Sequence, residues 1–280
     1  MVGGALAEVL SGADEKDQWQ VSAESTKGSR ENIRRLASRE LDLALANASI
    51  SYFAVRGKGG WEQAYPVRTV MTLAPNIALF ISPASAGIRQ LRDLRGQRVV
   101  LGPAGAGFEL FVGPILKAHG LSYEDLDVLH ATQAGAVDLL ADGAAFAAFL
   151  GGGVPTASIT QAAASREIDF VPFDPAAREQ LIADYPFFEA ATIPAGTYRN
   201  QSEDFEGLNV GSMHLITDAR TNPDLIYQIT RILFENRERI AARHPAGRFI
   251  NESNVTRDTG TEFHPGAVRY YREIGIWAGK

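Results

Sequence analysis

Short apolar runs alternate with amphipathic stretches along most of this chain. Residues 41–46, 98–101 and 144–150 are short runs of apolar residues, a pattern that favours buried strands. Residues 30–38 instead place their apolar side chains on one helical face. Strands that alternate with helices of this length are typical of sheets whose strands are joined by crossover helices. The pattern therefore predicts an α/β fold.

The same patterning predicts elements in the rest of the chain. The most regular apolar stripe belongs to a helix that begins at Asn222-Pro223 and runs to about residue 243. Pro75 interrupts the apolar stretch 67–82 and indicates a bend where the chain passes between two halves. Further helices are predicted over 3–10, 108–119, 156–165, 175–183 and 266–274, further strands over 19–23, 168–172 and 208–217, and loop or linker over 193–207.

Two glycine-rich loops follow predicted strands. Residues 102–107 (GPAGAG) come after the strand at 98–101, and residues 151–153 (GGG) come after the strand at 144–150. Glycine lets the backbone approach a ligand closely, and ligands of open α/β sheets bind at the carboxyl ends of strands. The first loop lacks the GK[ST] ending of a Walker loop and is not a clean dinucleotide fingerprint. A ligand cradle and a plain tight connection both remain open for it.

Composition and charge exclude several classes of function. The chain of 280 residues has a net charge of −6 and no basic cluster along one face, which argues against nucleic acid or an anionic membrane as the main partner. It contains no cysteine, so disulfides and thiolate catalysis are excluded. The five histidines are scattered, and no carboxylate pair or nucleophile motif stands out. We therefore expect no metal, no cofactor and no catalytic residues.

The first residues set an expectation about export. The chain opens on MVGGALAEVL, which is helical in pattern and carries neither a secretory n-region nor a preceding strand. Either the protein is cytosolic, or an export signal and a first strand are missing from this sequence. The acidic run at 14–17 is expected to be a solvated loop. No apolar run approaches the roughly 18 residues of a membrane span.

Seven stretches, in order over nearly the whole chain, carry a family pattern. They are GGALAEVL at 3–10, ESTKGSRENIRRLASRELDLALAN at 24–47, DLRGQRVVLGPAGAGFE at 93–109, DG…GGGVP at 142–155, YPFF…IPAGTY at 185–198, ILFENRERI at 232–240 and HPGAVRYYREIG at 264–275. Together they resemble the TAXI class of solute receptors, which serve tripartite (TRAP) membrane transporters.

This resemblance implies a type II periplasmic-binding-protein fold, in which two α/β lobes are joined by a crossover hinge and hold the ligand in the cleft between them. Lobe I would comprise 1–75 and 206–280, lobe II 83–198, and the hinge 76–82 and 199–205. The implied function is that of a periplasmic receptor that captures a small organic acid and delivers it to the membrane subunits of a TRAP transporter. A ligand-sensing module and an enzyme built on the same fold are the alternatives.

The resemblance also implies which residues bind the ligand. They are Ser25, Thr26, Gly28 and Ser29 before the helix at 30–38, Asn47 after the strand at 41–46, Gly105, Ala106, Gly107 and Phe108 in the first glycine loop, and Gly152 and Gly153 in the second. From the residues alone, the serines and the threonine could equally cap the helix, and the asparagine could form a turn.

Two departures from the family pattern bear on the ligand. Relatives usually have GlySerGlyThr where this chain has Gly105, Ala106, Gly107 and Phe108, so a methyl group and a ring replace two hydroxyls. Phe146 stands where relatives often have aspartate before the second glycine loop. The resemblance implies ligands such as glutamate, and the two departures lead us to expect a ligand with a larger apolar portion. Phe108 and Phe146 could each line the edge of its pocket or belong to the core.

Overall fold

The computed structural model describes residues 2–12 and 19–277 and divides the chain into two compact units. Unit 1 comprises Met1–Ala74 and Ser212–Lys280, and unit 2 comprises Pro75–Gly211. The acidic run at 14–17, expected to form a loop, lies outside the described residues. Unit 2 is therefore inserted into unit 1 along the chain.

Both units are built from helices and strands, as the alternating pattern predicts. The helices are α1 (Val2–Ser11), α2 (Ser29–Ala37), α3 (Ala48–Ala54), α4 (Glu109–Ala118), α5 (Gln133–Ala141), α6 (Ala157–Ser165), α7 (Pro175–Asp184), α8 (Pro223–Glu235), α9 (Arg237–Arg243) and α10 (Pro265–Glu273). The strands are β1 (Ala44–Asn47), β2 (Val67–Thr72), β3 (Ile77–Pro83), β4 (Arg98–Val100), β5 (Asp127–Leu129), β6 (Ala147–Gly152), β7 (Ile168–Val171), β8 (Phe188–Ile193), β9 (Phe205–Val210) and β10 (Met213–Asp218).

Unit 1 is organised around a three-stranded sheet in the order β1-β10-β2. The strand β10 pairs antiparallel with both neighbours, so β1 and β2 run in the same direction. Apolar side chains of α1, α8, α10 and β2 form one buried cluster. In α10, a Cβ atom at Gly266 would lie 2.2 Å from the carbonyl oxygen of Pro223, so glycine is what allows α10 to approach α8 this closely.

Unit 2 contains a seven-stranded sheet in the order β5-β4-β6-β3-β9-β8, with β7 paired to β3. The strands β5, β4 and β6 are parallel to one another, whereas β3 runs antiparallel to β6. Most residues of β3 and β6 are buried, and the rings of Phe80 and Phe149 pack edge to face at 4.8 Å. Because β5, β4 and β6 are parallel, the loops that follow them meet at one edge of this sheet.

The segments expected to form the hinge lie within unit 2. Residues 77–83 form β3, which pairs with β6 on one side and with β9 and β7 on the other. Of the second expected segment, 199–205, the last residue already belongs to β9. The apolar side chains of 77–81 are suited to the interior of a sheet, and Pro75 stands before the strand, where it breaks no ladder. The chain passes between the units at 74/75 and 211/212.

Three local predictions were wrong. Residues 19–23 form no strand, and the backbone of Val21 bonds to the side chain of Ser11 instead of to a sheet neighbour. The strand expected over 208–217 is two strands, β9 and β10, with Gly211-Ser212 between them. The helix expected to run to about 243 is interrupted at Asn236, whose side-chain amide donates to the carbonyl of Ile232 at 2.9 Å and so competes with the helical backbone pattern.

Candidate ligand-binding site

In unit 2, the loops after the three parallel strands are bonded to one another. The loop after β5 carries His130, whose Nδ1 lies 3.0 Å from the carbonyl oxygen of Gly102 in the first glycine loop. The same loop leads to Gln133, whose amide nitrogen donates to the carbonyl of Gly151 at 2.8 Å. The two glycine loops therefore occupy one edge of the sheet, held by the loop that follows β5.

The first glycine loop presents backbone N–H groups ahead of α4. Gly102, Gly105 and Gly107 have φ of 82°, 73° and 97°, a region that glycine adopts without the cost of a Cβ clash. The carbonyls of Gly107 and Phe108 accept the first bonds of the turn into α4. Within 2–12 and 19–277, the N–H groups of Gly105, Gly107 and Phe108 have no acceptor. Such groups at a helix start attract anionic oxygen atoms, because the helix dipole is positive there.

Phe108 covers the glycine that opens this loop. A Cβ atom at Gly102 would lie 2.6 Å from the Phe108 ring, so a side chain there would displace the ring. The ring also packs against Phe111 of α4 at 5.1 Å between centroids. Phe108 is only partly buried. Its ring thus joins the loop to the core of unit 2 and keeps some apolar surface exposed beside the free N–H groups.

The second glycine loop is held by side chains from α5 and α6. Gln133 accepts a hydrogen bond from the Ser158 hydroxyl at 2.7 Å while its own amide nitrogen bonds to Gly151. The hydroxyl of Tyr198 accepts the N–H of Thr156 at 2.7 Å, just beyond the loop. Gly152 and Gly153 lie between these two anchors and are accessible to solvent. The backbone of these two glycines is therefore held in place from both sides, although they have no side chains of their own.

In unit 1, the structure brings Ser29 and Asn47 together. The Ser29 hydroxyl accepts the backbone N–H of Asn47 at 3.0 Å. Asn47 caps α3, because its Oδ1 accepts the N–H of Ser49 at 2.9 Å. Of the two alternatives for Ser29, a cap of α2 is not observed, since α2 begins at Ser29 itself and Gly28 is its capping residue. Sequence reasoning also missed α3 altogether, although Asn47 is a good capping residue.

The other candidates before α2 form a local turn. The Thr26 hydroxyl accepts the N–H of Gly28 at 3.3 Å, and the Glu31 carboxylate accepts the N–H of Lys27 at 3.0 Å. Gly28 has a φ of 118°, which glycine tolerates and other residues rarely adopt. Ser25 is exposed. These contacts shape the turn and leave Ser29 as the member of the group that reaches Asn47.

Phe146 does not lie at the second glycine loop. It precedes β6 at the strand's amino end, whereas Gly152 ends that strand. Six residues at about 3.3 Å each separate the two positions by roughly 20 Å. The guanidinium of Arg98 lies 4.8 Å from the centre of the Phe146 ring, so the ring packs against an arginine of β4. The structure therefore places Phe146 away from the second glycine loop, which favours a packing role over the pocket edge.

Sequence reasoning missed the side chains that support the loops. These are His130, Gln133, Thr156, whose hydroxyl donates to the carbonyl of Gly153, Ser158 and Tyr198. Gln133 stands four residues after the end of β5, which places it at the same sheet edge as the glycine loops. Tyr198 belongs to one of the seven stretches that resemble TAXI receptors, but no pattern predicted its contact with Thr156, which lies 42 residues earlier in the chain.

His119, which caps the carboxyl end of α4, is neutral in the folded protein. Burial lowers the pKa of His119, whose Nδ1 lies 2.8 Å from the carbonyl of Ile115. Its Nε2 accepts the N–H of Asp174 at 3.0 Å, which fixes the proton on Nδ1. His119 therefore ties α4 to the start of α7 and serves the framework of unit 2.

The described part of the chain holds neither a metal-binding cluster of side chains nor a helix suited to span a membrane. No group of three or more histidine, aspartate or glutamate side chains there could hold a metal ion. A surface depression of about 750 Å³ lies in unit 1, and its lining includes Arg56, Arg269 and Trp277. None of the residues predicted from the sequence lines it. Among the helices of that part of the chain, none is long and apolar enough to cross a membrane.

Solved structures of similar fold come from several bacteria. A protein from Bordetella bronchiseptica RB50 gives a TM-score of 0.54 at 13% identity, covering 100% of this chain and 86% of its own. A Streptococcus mutans structure, described for glutathione import via GshT and a cystine ABC importer, gives 0.52 at 11% identity, covering 94% and 87%. The periplasmic aliphatic sulphonate binding protein of Escherichia coli gives 0.50 at 13% identity, covering 89% and 73%.

These likenesses show the fold. It is the α/β fold of type II periplasmic binding proteins, as the sequence resemblance implied. Residues 1–275, almost the whole chain, match the NMT1-like family. The chain therefore belongs to the NMT1-like family.

Proposed function

We propose that this protein is a solute-binding receptor that captures a small organic acid outside the cytoplasm and delivers it to a membrane transporter. The observation that carries the proposal is the meeting of two glycine loops at the carboxyl edge of β4 and β6, with three backbone N–H groups lacking acceptors among the described residues. The E. coli and S. mutans structures of similar fold are described for binding or import of small molecules, which supports the same role here.

The proposed ligand is a small organic acid with an apolar portion. The N–H groups of Gly105, Gly107 and Phe108 would donate to its carboxylate, with the positive end of the α4 dipole behind them. The methyl group of Ala106 and the partly exposed Phe108 ring would contact its apolar portion. Gly152 and Gly153 are the proposed backbone contacts from the second loop. No chemistry on the ligand is required.

In unit 1 we propose Ser29 and Asn47 as ligand-binding residues. The Ser29 oxygen accepts the Asn47 N–H, and the hydroxyl proton has no acceptor among residues 2–12 and 19–277. That proton is available to a ligand oxygen atom. Ser25, Thr26 and Gly28 would then shape the turn that holds Ser29, with Ser25 exposed beside it.

The proposed partner is the membrane part of a TRAP-type transporter. This assignment is supported by the seven stretches that resemble TAXI receptors. The S. mutans structure of similar fold is described together with an ABC importer, which is the competing transporter class. A gene for a many-spanning TRAP permease beside this one would support the assignment, and genes for an ATPase and an ABC permease would contradict it.

Phe108 offers a matched pair of substitutions that tests the site. Its φ of −59° at the start of α4 fits proline, so Phe108→Pro removes the N–H donor without forcing the backbone. Phe108→Ala removes the ring and keeps the donor. We expect Phe108→Pro to weaken binding of organic acids at least tenfold more than Phe108→Ala, since a hydrogen bond to a charged group contributes about 1.5–3 kcal/mol.

Isothermal titration of both variants and the parent protein with a panel of monocarboxylates and dicarboxylates checks this expectation. Circular dichroism and the unfolding temperature provide the control that both variants retain the fold. Equal affinities of the two folded variants for every acid that the parent protein binds would show that the Phe108 N–H does not contact the ligand. Stabilisation by dicarboxylates only would contradict the expected apolar portion.

A further inference from the structure

A chain of buried hydrogen bonds crosses unit 1 at His214. The imidazole is fully buried on β10, between Ser51 of α3 and Thr69 of β2. Its Nε2 lies 2.8 Å from the Ser51 hydroxyl, and its Nδ1 lies 3.3 Å from the Thr69 hydroxyl. Both hydroxyls are themselves fully buried. The ring therefore joins one helix to two neighbouring strands through polar contacts that water cannot replace.

The donor and the acceptor of each of these hydrogen bonds can be assigned from the last group in the series, the carbonyl of Thr261. The Thr69 hydroxyl donates its one proton to the carbonyl oxygen of Thr261 at 3.2 Å, because a carbonyl can only accept. Toward His214 the same hydroxyl can only accept, so Nδ1 must carry a proton. Burial, with the positive charge of Arg257 as a smaller cause, lowers the pKa of His214 to about 3 and keeps the ring neutral. The Nε2 atom is then an acceptor for the Ser51 hydroxyl.

The helix α3 is also connected to the two unit 1 residues proposed to bind ligand, Asn47 and Ser29. Ser51 lies in α3, and Asn47 caps that helix through the N–H of Ser49. The N–H of Asn47 in turn donates to Ser29 at 3.0 Å. A movement of α3 relative to the sheet would therefore displace the Asn47 cap and its bond to Ser29.

We propose that His214 is a positioning residue, whose Nδ1-protonated imidazole holds α3 against β10 and β2 and so fixes the geometry of Asn47 and Ser29. As a statement about ligand binding this rests on the proposed function, whereas the positioning itself is a property of the protein without ligand. The buried ring aligns donors and acceptors in one direction, from Ser51 through His214 and Thr69 to Thr261. His214 thereby fixes the geometry of Asn47 and Ser29, although it does not itself touch the ligand.

The protonation state can be observed directly. In the full chain labelled with ¹⁵N-histidine, we expect His214 to show a proton bound to Nδ1 and an unprotonated Nε2 at neutral pH. The variant His214→Gln, which lacks this signal, assigns it. A proton on Nε2 instead of Nδ1 would overturn the proposed direction of the hydrogen bonds, and with it the role of Thr69 as the acceptor.

Two isosteric substitutions test the positioning without any ligand. Thr69→Val removes the acceptor of the Nδ1–H group, and Thr230→Val removes an equally buried hydroxyl that bonds only within α8. We expect Thr69→Val to accelerate hydrogen exchange at the amides of Asn47 and Ser49 about tenfold, and Thr230→Val to leave them unchanged. Ser51→Ala should act like Thr69→Val, since it removes the hydrogen bond between α3 and His214.

The outcomes separate this inference from the proposed function. If Thr69→Val and Ser51→Ala both leave the Asn47 and Ser49 amides as protected as in Thr230→Val, the positioning role is overturned. If exchange accelerates as expected but the protein binds no organic acid in the titrations, the positioning stands and the proposed function fails. His214→Gln, whose amide oxygen can accept from Ser51, is expected to keep more of the protection than His214→Leu.

Discussion

Replacing Gly151 by alanine is expected to lower the free energy of unfolding by about 3 kcal/mol and to abolish ligand binding. A Cβ atom at this position would lie 2.3 Å from the Cβ of Ala78 and 2.8 Å from its Cα, on the neighbouring strand β3. Neither neighbour is the end of a flexible side chain, so the β3–β6 pair must separate. Overpacking that forces a backbone shift costs about 1–3 kcal/mol, and this contact is severe.

The loss of binding follows from the same displacement. Gly151 bonds to Gln133 through its carbonyl, and a shift of β6 would break that bond and move the second glycine loop. The matched control is Gly153→Ala, since no atom lies within 4 Å of a Cβ at that position and no backbone strain opposes it. We expect the free energy of unfolding of this control, measured in urea, to lie within about 0.5 kcal/mol of that of the parent protein. Equal stabilities of the two variants would show that β3 and β6 are not paired in this register.

Stability is expected to fall by at least about 2 kcal/mol between about pH 8 and about pH 5, before carboxylates begin to titrate. The pKa of His214 is lowered by burial from 6.5 to about 3. In the unfolded chain this histidine takes up a proton near its ordinary pKa of about 6.5, whereas in the folded protein it stays neutral. The unfolded state therefore gains protons first as the pH falls, and stability is lost across the window below about pH 6.5.

Other groups act in the same direction, and one variant separates them. Burial also lowers the pKa of His119 and His264. Hydrogen bonds lower the pKa of Asp93 and Asp125, but their contributions are lost only nearer the ordinary carboxylate range, at lower pH. Urea unfolding at a series of pH values measures the slope, and His214→Gln is expected to flatten it by up to one proton. An unchanged slope in this variant would show that His214 is not neutral and buried.

Much of the fold could be predicted because the apolar pattern of the sequence is local. The amino and carboxyl ends of the helix at Pro175–Asp184 and the strand at Ile168–Val171 were each predicted within one residue. The strand predicted at 19–23 failed because a strand needs a neighbour, and Val21 bonds to Ser11 instead. The strand β8 was missed because it has no apolar face, since Glu189 and Thr192 place a polar side chain on each side of the strand, and its pairing with β9 is a long-range property.

The candidate site divides in the same way. Glycine loops at strand ends are visible in the sequence, because the need for positive φ at Gly105 and Gly107 restricts the residue type. The partners that fix them, such as Tyr198, can be found only once the chain has folded. Asn47 and Ser29 were named from a family resemblance, and the hydrogen bond between them adds a physical reason for their association.

The central claim is that the protein binds an organic acid and releases it unchanged. Native mass spectrometry of the full chain, incubated with a panel of monocarboxylates and dicarboxylates and followed by denaturing extraction, tests it most directly. We expect one equivalent of an acid bound per chain, recovered with its mass unaltered, and lost in Phe108→Pro while retained in Phe108→Ala. A recovered molecule of altered mass, or no bound acid from any member of the panel, would contradict it.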